Sequence, residues 1–241
     1  MFVAAVESAA FALSDLRKLI EVGLSKIPED CRVYKTIKLL CKLHDEGKTP
    51  IEARNAVQKY NEDLADGWFQ APSNVAFAVL GLLYGENDFK KSMLLAVNCG
   101  DDTDCTGATV GAVLGILKGR SGLPQRWIEP IGNEIKTAAV STLWLFAPAT
   151  VEELSERIIR DKQYAEKENP LLPRLIDGPT CCAGLTERLT DGSIVRERIL
   201  TRSSRRLAFS LPWGELAIEY GQNPMTSPGE RQKLRISVTK C

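Results

Sequence analysis

Between Gly100 and Gly119 the chain sets three aspartates inside four residues, Asp101, Asp102 and Asp104, ahead of four glycines at every fourth position, Gly107, Gly111, Gly115 and Gly119. No other stretch constrains the fold as much. A four-residue period is close to one helical turn, so it predicts a helix over about residues 105–118 with one smooth, side-chain-free face. A neighbouring backbone can approach such a face closely. Three carboxylates this close repel, and each costs stability unless a cation neutralises it. Carboxylate oxygens beside a hydroxyl suit a hard cation such as magnesium or manganese. A helix start adds a favourable dipole. A capped helix start with solvated acids is the plainer reading. In either case tight packing of the following helix would hold the loop rigidly, as a metal site requires.

The surrounding pattern predicts a mainly α chain with a small β-rich appendage. Residues 1–13 are rich in alanine and apolar residues, as in a buried helix. Ser14 is a candidate cap for a second helix, which Pro28 ends. Val33, Ile37, Leu40, Cys41 and His44 share one helical face, and Gly47 stops that helix. Thr49-Pro50 reads as a cap followed by proline at the first helical position. Residues 66–73 read as a loop closed by Ser73 as a cap, before an apolar helix over 74–84. A helix over 88–99 should turn Phe89, Met93, Leu94 and Val97 inward. Thr150 and Glu153 form a capping box that opens a polar helix to about Glu168.

The character changes near Asn169. Pro170, Pro173, Gly178 and Pro179 suggest a linker over 169–184. Beyond it, residues 192–201, 205–211, 215–220 and 234–238 carry strand-like patterns separated by turn signals such as Asp191-Gly192, Pro212-Trp213-Gly214 and Asn223-Pro224. The expected organisation is a helical domain over 1–168, a linker, and a small β-rich region over 185–241.

Several function classes are disfavoured. Lys plus Arg and Asp plus Glu balance at 31 each, which argues against a nucleic-acid or anionic-membrane partner. The longest small and apolar stretch, 107–117, is far short of the roughly 20 residues of a membrane helix. Seven cysteines without C-x-x-C spacing, Cys181 and Cys182 adjacent among them, read as reduced thiols of a cytoplasmic protein. One histidine, His44, argues against a multi-histidine zinc site and a Ser-His-Asp triad. Asp102-x-Asp104-x-Thr106 opens like a calcium-binding EF-hand loop, but Val113 stands where that loop needs a bidentate glutamate. The same residues match the D-x-D-x-T nucleophile loop of haloacid-dehalogenase-like phosphatases. That loop should follow a buried strand, whereas the segment before Gly100 reads as a helix.

The order of motifs over 71–127 carries a resemblance. Pro72-Ser73-Asn74, Ala78-Val79-Leu80 and Leu83-Tyr84-Gly85 come first. Asp88-Phe89, Ala96-Val97-Asn98 and Gly100-Asp101-Asp102-Thr103-Asp104-Cys105 follow. Gly107-Ala108, Gly111-Ala112, Gly115 and Gly122-Leu123-Pro124-Gln125-Arg126-Trp127 close it. Together they resemble the C-terminal portion of the ADP-ribosylglycohydrolases, a family that includes dinitrogenase-reductase-activating glycohydrolase and the crystallin J1-like proteins. The resemblance extends more loosely over residues 1–160.

The resemblance implies an orthogonal helical bundle, here partial, holding two magnesium ions. It implies hydrolysis of the glycosidic bond between ADP-ribose and a modified protein or small acceptor. It maps metal ligands onto Asp102 and Asp104. It also maps one onto Cys105, where the family often has threonine and a thiol suits magnesium poorly. Asp101, Thr103, Thr106 and Asn98 are expected around the ligands. The family's second ligand cluster, a [ST]-D-D motif, and an N-terminal catalytic glutamate have no counterpart before Asp101. The expectation is therefore a truncated or split form, completed by a second chain or acting as a non-catalytic ADP-ribose-binding remnant. The catalytic residues stay unassigned.

Other residues have structural readings. Asn74 and Asn98 read as a helix cap or a loop hydrogen bond, Trp127 and His44 as packing residues, and Trp68 and Phe69 as packing ahead of an adenine contact. Glu7 is a candidate neighbour of the site that no motif places. Arg196, Arg198, Arg202, Arg205 and Arg206 read as a solvated strand face before a phosphate contact.

Overall fold

The computed structural model describes residues 1–64, 69–136, 147–168, 184–193, 206–220 and 234–240. Trp68, Cys181, Cys182, the segment 169–183, residues 194–201 of the strand expected over 192–201 and the arginines at 196, 198, 202 and 205 lie outside the described residues.

Helix α5 (Ala71–Gly85) is the axis of the fold. It is apolar on every side and buried almost throughout, the composition of a helix surrounded by other helices. Around it pack α3 (Arg32–Asp45), α4 (Pro50–Tyr60), α6 (Phe89–Val97) and α7 (Thr103–Gly122), while α1 (Phe2–Ala10) bridges α2 (Leu16–Ser25) and α7. The core is the shared interior of these helices, with Leu19, Ile37, Leu40, Phe77, Leu80 and Leu114 excluded from water. Gly81 and Gly85 make the α5–α6 contact possible. A Cβ on Gly81 would stand 2.7 Å from the Ser92 carbonyl oxygen, and one on Gly85 would stand 2.6 Å from Ser92 Cα. Only hydrogen fits at either position.

The caps explain where helices begin. Thr49 and Glu52 form a full capping box at α4, with Pro50 at the first position. Asp88 accepts the Lys91 N–H at 2.6 Å and opens α6. At α2 the cap is Asp15, which accepts from the Arg17 and Lys18 N–H groups, and the expected cap Ser14 lies outside the helix. A carboxylate accepts two donors at once and outcompetes the neighbouring hydroxyl. Ser73 is likewise not a cap. The helix starts earlier, after Gln70, with Pro72 in its first turn and Ser73 buried inside it. Proline is at home in a first turn because its missing N–H has no helical partner there.

Two packing expectations need correction. Leu94 and Val97 are 41% and 37% exposed, and Ser92 and Ala96 take the inward positions instead. The glycine stripe of α7 does not meet a neighbouring backbone. Among the described residues, a Cβ on Gly107 or Gly111 would meet only the side chains of Met93 and Val97, and one on Gly115 or Gly119 would meet nothing within 4 Å. Helix spacing identifies a smooth face but not what lies opposite it.

Beyond α7 come the short α8 (Gln125–Ile128) and the polar α9 (Val151–Glu168). Thr150 caps α9 by accepting the Glu153 N–H at 3.1 Å. The segment that opens the expected β-rich region begins as a helix, α10 (Leu185–Thr190), which lays Leu185 and Leu189 on the helical core beside α2. Strands β1 (Arg206–Leu211), β2 (Gly214–Tyr220) and β3 (Leu234–Lys240) form an antiparallel sheet in that order, with Leu211 opposite Gly214 across the hairpin. No helix among the described residues is long and apolar enough to cross a membrane.

Candidate metal centre

The acidic loop connects α6 to α7. Gly100 and Asp101 both take left-handed backbone conformations, at φ +79° and +63°. Glycine enters this region freely, and aspartate is among the few other residues that tolerate it. The pair reverses the chain and delivers Asp102 to the N-cap of α7.

Asp101 holds the turn. Its Oδ1 accepts the Phe69 N–H at 3.1 Å, and its Oδ2 accepts from Asn74 Nδ2 at 2.8 Å. Asn74 is buried within α5, and its Oδ1 accepts the Asp102 N–H at 3.1 Å. One amide side chain thus spans two consecutive residues of the loop and ties both to the central helix. Arg54 braces the other side. Its Nε donates to the Cys99 carbonyl at 3.0 Å, and its guanidinium lies 5.8 Å from the centre of the Phe77 ring.

The structure brings Asp102, Asp104 and Cys105 together. One ligand atom from each lies within 4.8 Å of the others, with Asp102 half-buried and the other two exposed. Asp102 occupies the N-cap but makes no capping hydrogen bond, so its carboxylate is not spent on the helix. The Cys105 thiol takes up part of that capacity. Its hydrogen bond to Asp102, then partial desolvation and the charges of Asp102 and Asp104, push its pKa above the ordinary thiol range. A protonated thiol is a poor ligand for a hard cation, so two carboxylates form the fitting part of the donor set.

The remaining candidates divide. Asp101 is turned to Phe69 and Asn74. Thr103 begins α7, and its carbonyl accepts from the buried Thr106 hydroxyl at 3.1 Å. Asn98 ends α6 and lines a separate depression with Arg54 and Leu95. Glu7 lines a cleft along α7 with Gly111 and Gly115. Trp127 stacks edge-on against Phe89 at 5.6 Å, and His44 against Tyr84 at 4.8 Å, as packing residues do. The loop follows helix α6, so the strand that a D-x-D-x-T phosphatase loop needs is not there. Arg54 and the Phe69 N–H escaped the sequence reading. A lone arginine on an amphipathic helix carries no signal of what it will reach across space.

The sequence profile of the ADP-ribosylglycohydrolases matches residues 1–167. Over 54 residues the chain is 41% identical to an ADP-ribosylarginine hydrolase Tri1 of Pseudomonas putida (strain GB-1), covering 22% of this chain and 15% of that protein. Over 72 residues it is 35% identical to an ADP-ribosylarginine hydrolase Tri1 of Serratia proteamaculans (strain 568), covering 30% and 20%. The matched stretches therefore span a fifth or less of these relatives. No solved structure matches the chain significantly.

Proposed function

The chain belongs to the ADP-ribosylglycohydrolase family, and from that premise we propose that it serves the hydrolysis of an ADP-ribosyl glycosidic bond, with Asp102 and Asp104 holding a divalent cation. The observation that carries this reading is the pairing of these carboxylates on a braced loop, with Asp102 free of capping duty. Magnesium fits two hard oxygen donors, and manganese fits them too. Such a cation would supply Lewis-acid polarisation and orient a water molecule. Asp102 and Asp104 hold it. Asp101 and Asn74 fix the loop so that the two carboxylates need little rearrangement on binding. Cys105 donates to Asp102, and that bond raises its thiol pKa, which leaves the two carboxylates as the donors that would hold a hard cation.

The acceptor in this proposal is an arginine side chain of a modified protein, or a small guanidine, because two relatives are named ADP-ribosylarginine hydrolases. In this proposal a second chain supplies further acidic ligands, because Asp102 and Asp104 alone fill only part of a divalent cation's coordination sphere. The free thiols Cys31, Cys41, Cys99 and Cys105 suit a reducing compartment such as the cytoplasm.

The decisive experiment follows ADP-ribose release from an ADP-ribosylated arginine substrate. It uses the full chain, alone and with its genomic neighbours, with and without magnesium. Magnesium-dependent release that Asp102→Ala and Asp104→Ala each abolish supports the reading. Metal-dependent ADP-ribose binding by calorimetry without turnover would reassign the chain as a binding protein. Release indifferent to both substitutions would remove the loop from the chemistry.

A further inference from the structure

Among the described residues, a cleft of about 990 Å³ runs along the outer half of α7. Gly111, Gly115 and Ile116 line it from α7, Trp127 from α8, and Glu152 and Ile159 from α9. A helix is about 10 Å across and rises 1.5 Å per residue, so about 990 Å³ equals the space of roughly eight residues of helix. The indole N–H of Trp127 is shut off from solvent and has no partner among the described residues.

Helix α9 is the second half of the observation. No other element packs closely along it among the described residues. It nevertheless carries apolar residues on two faces. Val151 and Ile159 look into the cleft, while Leu154 and Ile158, one turn apart, form a second ridge. Ile158 and Ile159 are 59% and 61% exposed. Contiguous exposed apolar surface of this kind marks an interaction site.

We propose that two copies of this chain pair through these features. The α9 helices run antiparallel, and each lies in the other copy's cleft with Leu154 and Ile158 on the glycine floor of α7. The arrangement is self-complementary, as a twofold interface must be. Glu7, Glu152 and Glu156 line the cleft against Arg120 alone, an excess of acid. The turn of α9 that follows carries Arg160 and Lys162 with Asp161 between them, and Lys162 falls on the helical face of Glu152, Ser155 and Ile159. Antiparallel pairing centred on Arg157 sets Glu152 against Lys162 of the other copy and Ser155 against Ile159 of the other copy. Parallel pairing would set acid on acid. Charge therefore selects the antiparallel register, and the missing side chains of Gly111 and Gly115 leave room for the inserted ridge.

Sedimentation velocity of the full chain over a concentration series tests this without reference to activity. A concentration-dependent dimer is expected. Ile158→Glu and Gly115→Leu should each weaken it by about tenfold or more. Circular dichroism should stay unchanged, since both positions face open space. Lys162→Glu should also weaken the dimer, and adding Glu152→Lys to it should restore pairing. A chain that stays monomeric at every concentration overturns the proposal and leaves the cleft to a different partner. A dimer indifferent to both Ile158→Glu and Gly115→Leu overturns it as well.

Discussion

Helices α5 and α7 both carry glycines at four-residue spacing, and the structure uses them in opposite ways. On α5, Gly81 and Gly85 lie under Ser92 and Ala96 of α6, at distances that no side chain could satisfy. On α7, among the described residues, nothing faces Gly115 within 4 Å and Gly111 meets only the Met93 sulfur. The α5 glycines are spent on folding. Those of α7 leave a furrow open beyond the acidic loop. A glycine period is therefore evidence for a smooth helical face, and the neighbouring elements decide whether that face is core or surface.

The contrast breaks most readily at Gly81. A methyl there would press on the Ser92 carbonyl oxygen and on Ala96 Cβ, each at 2.7 Å. Backbone cannot step aside without shifting α6. Gly81→Ala should therefore destabilise the chain by about 3 kcal/mol, even after the helical preference of alanine is credited. Urea unfolding measures this. Adding Ala96→Gly should recover little, because the Ser92 carbonyl remains. Full recovery would mean that side chains, not backbone, set the α5–α6 distance.

The next effect concerns the link between the two helices. Asn74 on α5 pairs with the Asp101 carboxylate and the Asp102 N–H at the start of α7. Asn74→Ala strands both groups, and the cost should be about 1–2 kcal/mol in urea. Manganese affinity should fall by about tenfold, as for other residues that orient ligands. A loss of stability with unchanged manganese binding would confine Asn74 to folding.

This link also shows where sequence stops being informative. The helical class, the α4 and α9 starts, the strands and the Asp102–Asp104 cluster follow from local chemistry, which neighbours in sequence report. Caps were legible only as a class of residue. Asp15 and Ser14 are both good caps, and the choice turned on which one could accept two N–H groups. The Asn74 clamp joins residues 28 apart in sequence. The Arg54 brace spans 45. Neither follows from spacing. The open face of α7 was misjudged for the same reason, since what lies opposite a helix is a property of the assembled fold.

A smaller effect sits on the first turn of α7. The Cys105 thiol is raised by its bond to Asp102, so it should alkylate slowly at mildly alkaline pH despite its exposure. Asp102→Asn removes the negative charge and weakens the bond. That substitution should lower the thiol pKa, increase the thiolate fraction and speed iodoacetamide labelling several-fold. Labelling followed by mass spectrometry reads this directly. An unchanged rate would mean that Asp102 does not control the thiol and that its carboxylate is fully available to a cation.

The smallest effect is the most direct test of the comparison, because it repeats the first substitution on the other helix. Among the described residues Gly115 has no atom within 4 Å of where a Cβ would stand, and its backbone is helical. Gly115→Ala therefore carries only the intrinsic preference of alanine for helix, a gain of about 0.5–1 kcal/mol. The measurement belongs at low concentration, where association does not contribute to the unfolding midpoint. The same chemical change should thus lower stability on α5 and raise it on α7. If Gly115→Ala destabilises instead, α7 is covered in solution by something that presses on this position, and the furrow is already occupied.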